Sequence, residues 1–237
     1  MFLFLILILV GLINGTRLIL ARIKYFSIKK IEIAGNQNLE QEFLSNLVKD
    51  YLGKNLFAIP KKEIITKYDN VIRIKSVRVK RVIPYTLKII VNERTAKFCL
   101  RTTQGDIYPL DSEKILLDKD NFYPRESMPI ISSNLKNSDL KIGAKINSQF
   151  INEVYDFCSR ISNYDPSFVN RISEFYRMKD EIYMIDNNTG YTIVFGDNDL
   201  EDKYRRFAFL EKNRNFATNT LIDLRFEDRL IIHPEVQ

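Results

Sequence analysis

Residues Phe2 to Ile13 read FLFLILILVGLI, with 11 of 12 positions strongly apolar and no charge before Arg17. Extended through Leu18, Ile19, Leu20 and Ala21, the run is 20 residues long, enough to cross a bilayer core as a helix. It has no polar stripe, unlike a helix that packs on a soluble core, and Arg17 sits near one end, where a long side chain snorkels to headgroups. Residues 1–21 therefore read as a transmembrane anchor. A cleaved signal peptide is the competing reading, against which stand the missing basic n-region and the missing small-x-small cleavage site. The flanking charges give an awkward orientation. Arg17, Arg22, Lys24, Lys29 and Lys30 all follow Phe2–Ile13, and the positive-inside rule applied to them alone places residues 22–237 in the cytoplasm. A basic tail ahead of Met1 would reverse that.

The remaining residues look globular. Gly is 8, Pro is 7, and charged residues make up 28% of the chain with the signs mixed, which excludes collagen-like and disordered readings. Two cysteines cannot build a four-cysteine metal site, and the single histidine, His233, argues against a histidine zinc site or a His-dependent dyad. Charge divides the chain. Residues 1–98 hold 18 Lys+Arg against 7 Asp+Glu, while residues 99–237 hold 18 against 23. Two units in different surroundings are expected, the basic one either near anionic headgroups or simply solvated.

In the first unit, Phe26, Ile28, Ile31 and Ile33 suggest a short strand that Gly35-Asn36 ends. Leu39, Phe43, Leu44, Leu47, Val48, Tyr51 and Leu52 predict a helix of about four turns, with Asn38 as N-cap and Gly53 at the C′ position. A second short helix is expected over residues 61–68, after Pro60. SVRVKRVIPYTLKIIVNE (76–93) then predicts a hairpin with one buried and one basic face. No aromatic residues interleave with Arg73, Lys75, Arg78, Lys80 and Arg81 as base-stacking platforms, so nucleic acid is not the expected partner.

In the second unit, Phe98–Thr103 and Ile107–Leu110 flank the turn Gln104-Gly105-Asp106. A helix is expected from Phe150, strands over 172–177, 181–185 and 191–195, a helix over 200–210, and strands over 220–226 and 229–233. The result is a mixed sheet with two helices. No phosphate-binding loop, dinucleotide fingerprint or nucleophile elbow is present. Asp197, Asp199, Glu201 and Asp202 have the wrong spacing for a calcium loop and more simply oppose a helix dipole. His233 reads as an exposed strand-end residue. Cys99 and Cys158 are either buried thiols or one disulfide.

The apolar start, IEIAGNQNLEQEFLSNLVKDYLGKNLFAI (31–59) and IKSVRVKRVIPYTLKIIVNER (74–94) resemble the membrane-anchored POTRA module of the bacterial cell division family FtsQ/DivIB. IVFG (193–196), Lys203 and IDLRFEDRLII (222–232) are similar to that family's distal β-domain. Where the family favours Glu-Arg-x-Pro between the modules, this chain has Glu93-Arg94-Thr95-Ala96. The resemblance implies an α+β chain: an anchor (1–21), a β-α-α-β-β POTRA domain (25–97) and a β-domain (98–237). It implies a single-pass protein of the inner (plasma) membrane at the division septum, with its bulk outside the cytoplasm. Such a protein is a scaffold that needs no cofactor and catalyses no reaction. Its implied partners are FtsB/DivIC- and FtsL-like coiled-coil division proteins, through which it helps regulate septal peptidoglycan synthesis. Docking is implied at Phe226, Arg229, Leu230, Ile231 and Ile232, because a terminal edge strand offers unpaired backbone groups to an added strand. The alternative for the first and last of these apolar residues, and for Leu230, is simple core packing. Arg78, Lys80 and Arg81 are a possible second contact. The runner-up function is a POTRA-containing envelope assembly or transport factor, for which about 140 residues after the POTRA module leave too few strands for a barrel.

Overall fold

The computed structural model describes residues 15, 16, 19–119, 128–214, 216–227 and 229–233. The expected anchor lies mostly outside the described residues, and among these no helix is long and apolar enough to cross a membrane. The chain divides into two compact units, residues 1–94 and 95–237.

The first unit contains strands β1 (Lys30–Ala34), β2 (Ile74–Val82) and β3 (Thr86–Glu93) and helices α1 (Gln41–Asn46) and α2 (Lys61–Thr66). The order β-α-α-β-β is the expected one. Strand order in the sheet is β1-β3-β2, with β1 parallel and β2 antiparallel to the central β3. Alternation makes β3 central: Leu87, Ile89 and Val91 are buried and pack with Val79, Leu44, Val48, Tyr51, Ile64 and Tyr68 in one core. Gly35 ends β1 at φ +85°, and a Cβ there would stand 2.3 Å from the Val91 carbonyl oxygen, so only glycine fits.

The long helix expected over residues 39–52 is shorter and broken. It stops at Asn46, Val48 leaves helical geometry at φ −127°, and a 3-10 turn follows at Lys49–Tyr51. The break lets both Val48 and Tyr51 reach the core. Asn38 is not the cap either. The backbone N–H groups of Gln37, Asn38 and Leu39 donate to the Glu93 carboxylate at 2.8, 2.9 and 3.1 Å.

The second unit is built on one mixed sheet, with β4 (Ala96–Arg101), β5 (Ile107–Asp111), β6 (Ile130–Ser132), β7 (Ile172–Met178), β8 (Glu181–Asp186), β9 (Thr192–Gly196), β10 (Leu221–Asp223) and β11 (Ile231–His233). Their order is β11-β10-β9-β8-β7-β6-β4-β5. The helices α3 (Gln149–Ser162) and α5 (Leu200–Asn213) cover one face. Phe157 of α3 lies edge-on to Phe175, Phe195 and Tyr204, which joins sheet and both helices in one aromatic core. A third helix, α4 (Pro166–Val169), corrects the expected two. Asp165 caps it, accepting from Phe168 N–H at 3.1 Å, with Pro166 at the first helical position. The last two strands are also shorter than expected, at three residues each.

Both thiols are free and buried. Phe98 and Leu100 belong to the core under the helices, as does Cys158, so the intervening Cys99 points to the opposite face of β4. The pleat keeps the two sulfurs apart.

Candidate functional site

β11 is the last strand of the eight-stranded sheet and pairs antiparallel with β10: Leu221 with His233, Ile222 with Ile232, Asp223 with Ile231. Three successive placements bring it there. Gly196 ends β9 at φ +82°, where a Cβ would meet Arg225 Cγ at 3.1 Å. Asp199, at φ +48°, starts α5, with Glu201 and Asp202 in the first turn where acids favour the helix dipole. Lys203 then turns inward, 6% exposed, and its ammonium donates to the carbonyl and side-chain oxygens of Asn198 at 2.8 and 2.7 Å. Burial holds that amine below the ordinary lysine range.

Beyond β10 the chain is fastened by two arginines. The Arg206 guanidinium, on α5, donates to the carbonyls of Leu224 (3.1 Å), Phe226 (2.7 Å) and Glu227. Arg225 grips the buried Asp223 through Nε and Nη2 and reaches Glu181 at 2.7 Å. Burial alone would raise the Asp223 carboxyl, but the Arg225 guanidinium and its backbone N–H outweigh that and hold it below the usual carboxylate range.

A cleft of about 560 Å³ opens between α5 and the terminal strands. Phe209, Leu210, Phe216, Leu224, Leu230 and Ile232 give it an apolar lining, and Arg205, Arg206, Arg214 and Arg229 share the wall with one acid among the described residues, Glu227. Phe209 is 69% exposed and Ile232 is 40% exposed, so the lining offers apolar surface to solvent.

The structure separates the expected docking residues. Arg229, Leu230 and Ile232 line the cleft. Leu230 also packs against the core, whereas Phe226 is exposed, with the Arg229 guanidinium 5.1 Å from its ring centre. Ile231, opposite Asp223, takes the other face of the sheet. In the first unit, Arg78 and Lys80 are exposed on the outer face of β2. Arg81 shares the parity of Val77 and Val79 and turns inward, donating to the carbonyls of Leu56 (2.6 Å) and Ile59 (2.8 Å). It is a fastener of the unit. Sequence reasoning missed Phe209 and Arg206. The signal for Phe209 was available, since it falls off the helical face carrying Tyr204 and Phe207. His233 is exposed at the strand end, and among the described residues no group of three His, Cys, Asp or Glu converges as a metal site.

A family model, the FtsQ-type POTRA domain, matches residues 26–94. Over 119 residues, half of this chain and 43% of the relative, the chain is 33% identical to the cell division protein DivIB of Clostridium botulinum (strain Loch Maree). It is 30% identical over 130 residues to DivIB of Clostridium acetobutylicum, covering 53% of this chain and 49% of that protein. The first unit thus carries an FtsQ-type POTRA domain, and about half of the chain is similar to DivIB cell division proteins. The matched segments span about half the length of these curated relatives. The FtsQ-type module coincides with the first unit, and the cleft beside β11 lies in the second.

Proposed function

We propose that this chain acts in bacterial cell division as a non-enzymatic scaffold, docking other division proteins on β11 and the adjoining cleft. The relatives are named cell division proteins, which supports the coarse role. The observation that carries the finer reading is the combination of a terminal edge strand with an apolar, arginine-walled groove next to it. An added strand would satisfy the outer backbone groups of β11. Apolar side chains beside it would fill the space among Phe209, Leu230 and Ile232, and acidic ones would meet Arg205, Arg214 and Arg229. The occupant in this reading is a helical or extended segment of an FtsB/DivIC- or FtsL-like coiled-coil protein. Residues 2–21 hold the chain in the plasma membrane, its bulk lies outside the cytoplasm, and docking helps regulate septal peptidoglycan synthesis.

The test is microscopy of dividing cells that carry a fluorescent protein fused ahead of Met1 while the native protein is depleted. A mid-cell band, with filamentation on depletion, is expected. A uniform envelope signal with normal division would overturn the division role.

A further inference from the structure

The end of the first unit that adjoins the apolar run is aromatic, apolar and basic. Residues 19–22 are helical, and Asn55 Nδ2 donates to the carbonyls of Leu20 (3.0 Å) and Ile23 (2.8 Å). The last carbonyls of a helix have no intrahelical partner, so Asn55 caps the exit of the run. The backbone continues the clasp: Leu56 N–H donates to Phe26 O at 2.9 Å, Gly53 N–H to Ile28 O at 2.9 Å, and Ile28 N–H to Lys54 O at 2.8 Å. No slack linker separates Leu20 from the folded unit.

The β2–β3 turn lies at the same end, because the N–H groups of Lys29 and Lys30 both donate to Tyr85 O, at 2.9 and 3.3 Å. Five large apolar or aromatic side chains are exposed there: Ile23, Tyr25, Val82, Ile83 and Tyr85, of which Tyr25 and Ile83 are about two-thirds exposed. The segments that form this end, residues 19–32, 53–57 and 81–88, contain seven Lys+Arg and one acid, Glu32, which pairs with Lys30 and Lys88. Arg81 is turned inward, which leaves Arg22, Lys24, Lys29 and Lys54 as the basic groups of the surface. Glu40, Glu42 and Glu93 belong to the opposite end of the sheet, beside the end of β1. Tyrosines with lysines, at the mouth of an apolar run, are the composition that settles in a headgroup layer: ring and methylene parts enter while hydroxyl and ammonium stay wet. Clustered lysines next to a membrane favour anionic lipid.

We propose that this end of the POTRA unit docks on an anionic lipid surface, with Tyr25, Ile83 and Tyr85 in the headgroup layer. The docking rests on the reading that residues 2–21 insert in the membrane. Its consequence is a POTRA unit held against the bilayer, leaving its sides and its acidic far end to other proteins.

The chain has no tryptophan, so one indole is a unique reporter. The full chain would be reconstituted as Tyr85→Trp or as the control Gln37→Trp in vesicles of phosphatidylcholine and phosphatidylglycerol containing brominated lipid. Gln37 is bonded through its N–H to Glu93, at the far end of the eight-residue β3, about 25 Å from Tyr85 at roughly 3.3 Å per residue. Quenching at least threefold stronger in Y85W than in Q37W is expected, decreasing when phosphatidylglycerol is removed. Should Y85W fail to keep the parent's circular dichroism, Tyr25→Trp replaces it. Failure of the chain to float with vesicles sinks the anchoring reading, and the docking with it. Flotation with equal quenching at the two positions overturns the docking alone, and quenching indifferent to phosphatidylglycerol overturns the anionic-lipid assignment.

Discussion

Ile231 stands directly opposite Asp223 across β10 and β11, and that pairing decides which side chains of the last strand face the cleft. Successive residues alternate, so Ile232 joins Ile222 on the helix side and Ile231 is turned away from it. The strand offers two chemically different rows, and substitutions in the two rows should act differently.

Ile232→Asp places a carboxylate in the apolar lining without disturbing a buried partner, since Ile232 is exposed in the free chain. On the docking proposed above, affinity for the division protein seated on β11 should fall at least tenfold, about 1.4 kcal/mol, with the thermal transition unchanged. Ile231→Asp sets two carboxylates opposite each other, a destabilising cross-strand pair. It should therefore raise hydrogen exchange at residues 231–233 before any partner is added. Equal exchange and equal binding in the two variants would contradict this division of the strand.

Arg206 controls how the approach to β11 is held, because its guanidinium is shared among the carbonyls of Leu224, Phe226 and Glu227. Arg206→Ala removes donors worth about 1.5–3 kcal/mol when charged, although exposure of the site argues for the lower end. Exchange should rise in residues 224–227 and partner affinity should drop, while the core around Phe157 and Phe195 keeps its protection. Unchanged exchange in that loop would show that Arg206 is dispensable.

How much of this was legible depends on the range of the interaction. The element order of the first unit is written in local periodicities: alternation in 76–93 and helical spacing from Leu39. The break at Val48 was not, because Leu47, Val48, Tyr51 and Leu52 continue the helical spacing that the fold abandons. Nor was the anchoring of residues 37–39 ahead of that helix, since Glu93 lies 54 to 56 residues from the N–H groups it accepts from. The same holds at the candidate site. The terminal strand could be read from Leu230, Ile231 and Ile232, but its groove needs Phe209 and Phe216 from elsewhere in the chain. Nothing local to the helix marks Arg206, because only the return of residues 224–227 gives it acceptors.

The two thiols should stay reduced and unreactive in the folded chain. Burial pushes Cys99 up to about 11 and raises Cys158 as well, and the thiolate is the reactive form. At neutral pH, iodoacetamide should label neither residue until denaturant is added, when both react. Rapid labelling of the native chain, or a disulfide found after mild oxidation, would contradict their placement on opposite sides of β4.

Glu93 makes the stability of the first unit sensitive to acid. Its burial alone would raise the carboxyl, but the N–H groups of Gln37, Asn38 and Leu39, with the Asn38 amide, outweigh that and hold it below the usual range. The folded value therefore lies below the unfolded one, near 4.3. A carboxylate of this kind contributes stability that is fully present above the unfolded value and is lost as pH falls through the folded one. The unit should hold its melting temperature from pH 7 to about pH 5 and lose it progressively below about pH 4. Glu93→Ala leaves three N–H donors without their acceptor and should cost about 1–3 kcal/mol at pH 7, while flattening the acid slope. Glu93→Gln keeps an oxygen for part of the nest, so its loss should be smaller and equally insensitive to acid. Thermal melts of the full chain at pH 7, 5 and 3.5, followed by exchange at residues 37–39, separate these outcomes. A parent slope unchanged in Glu93→Ala would assign the acid sensitivity to another group.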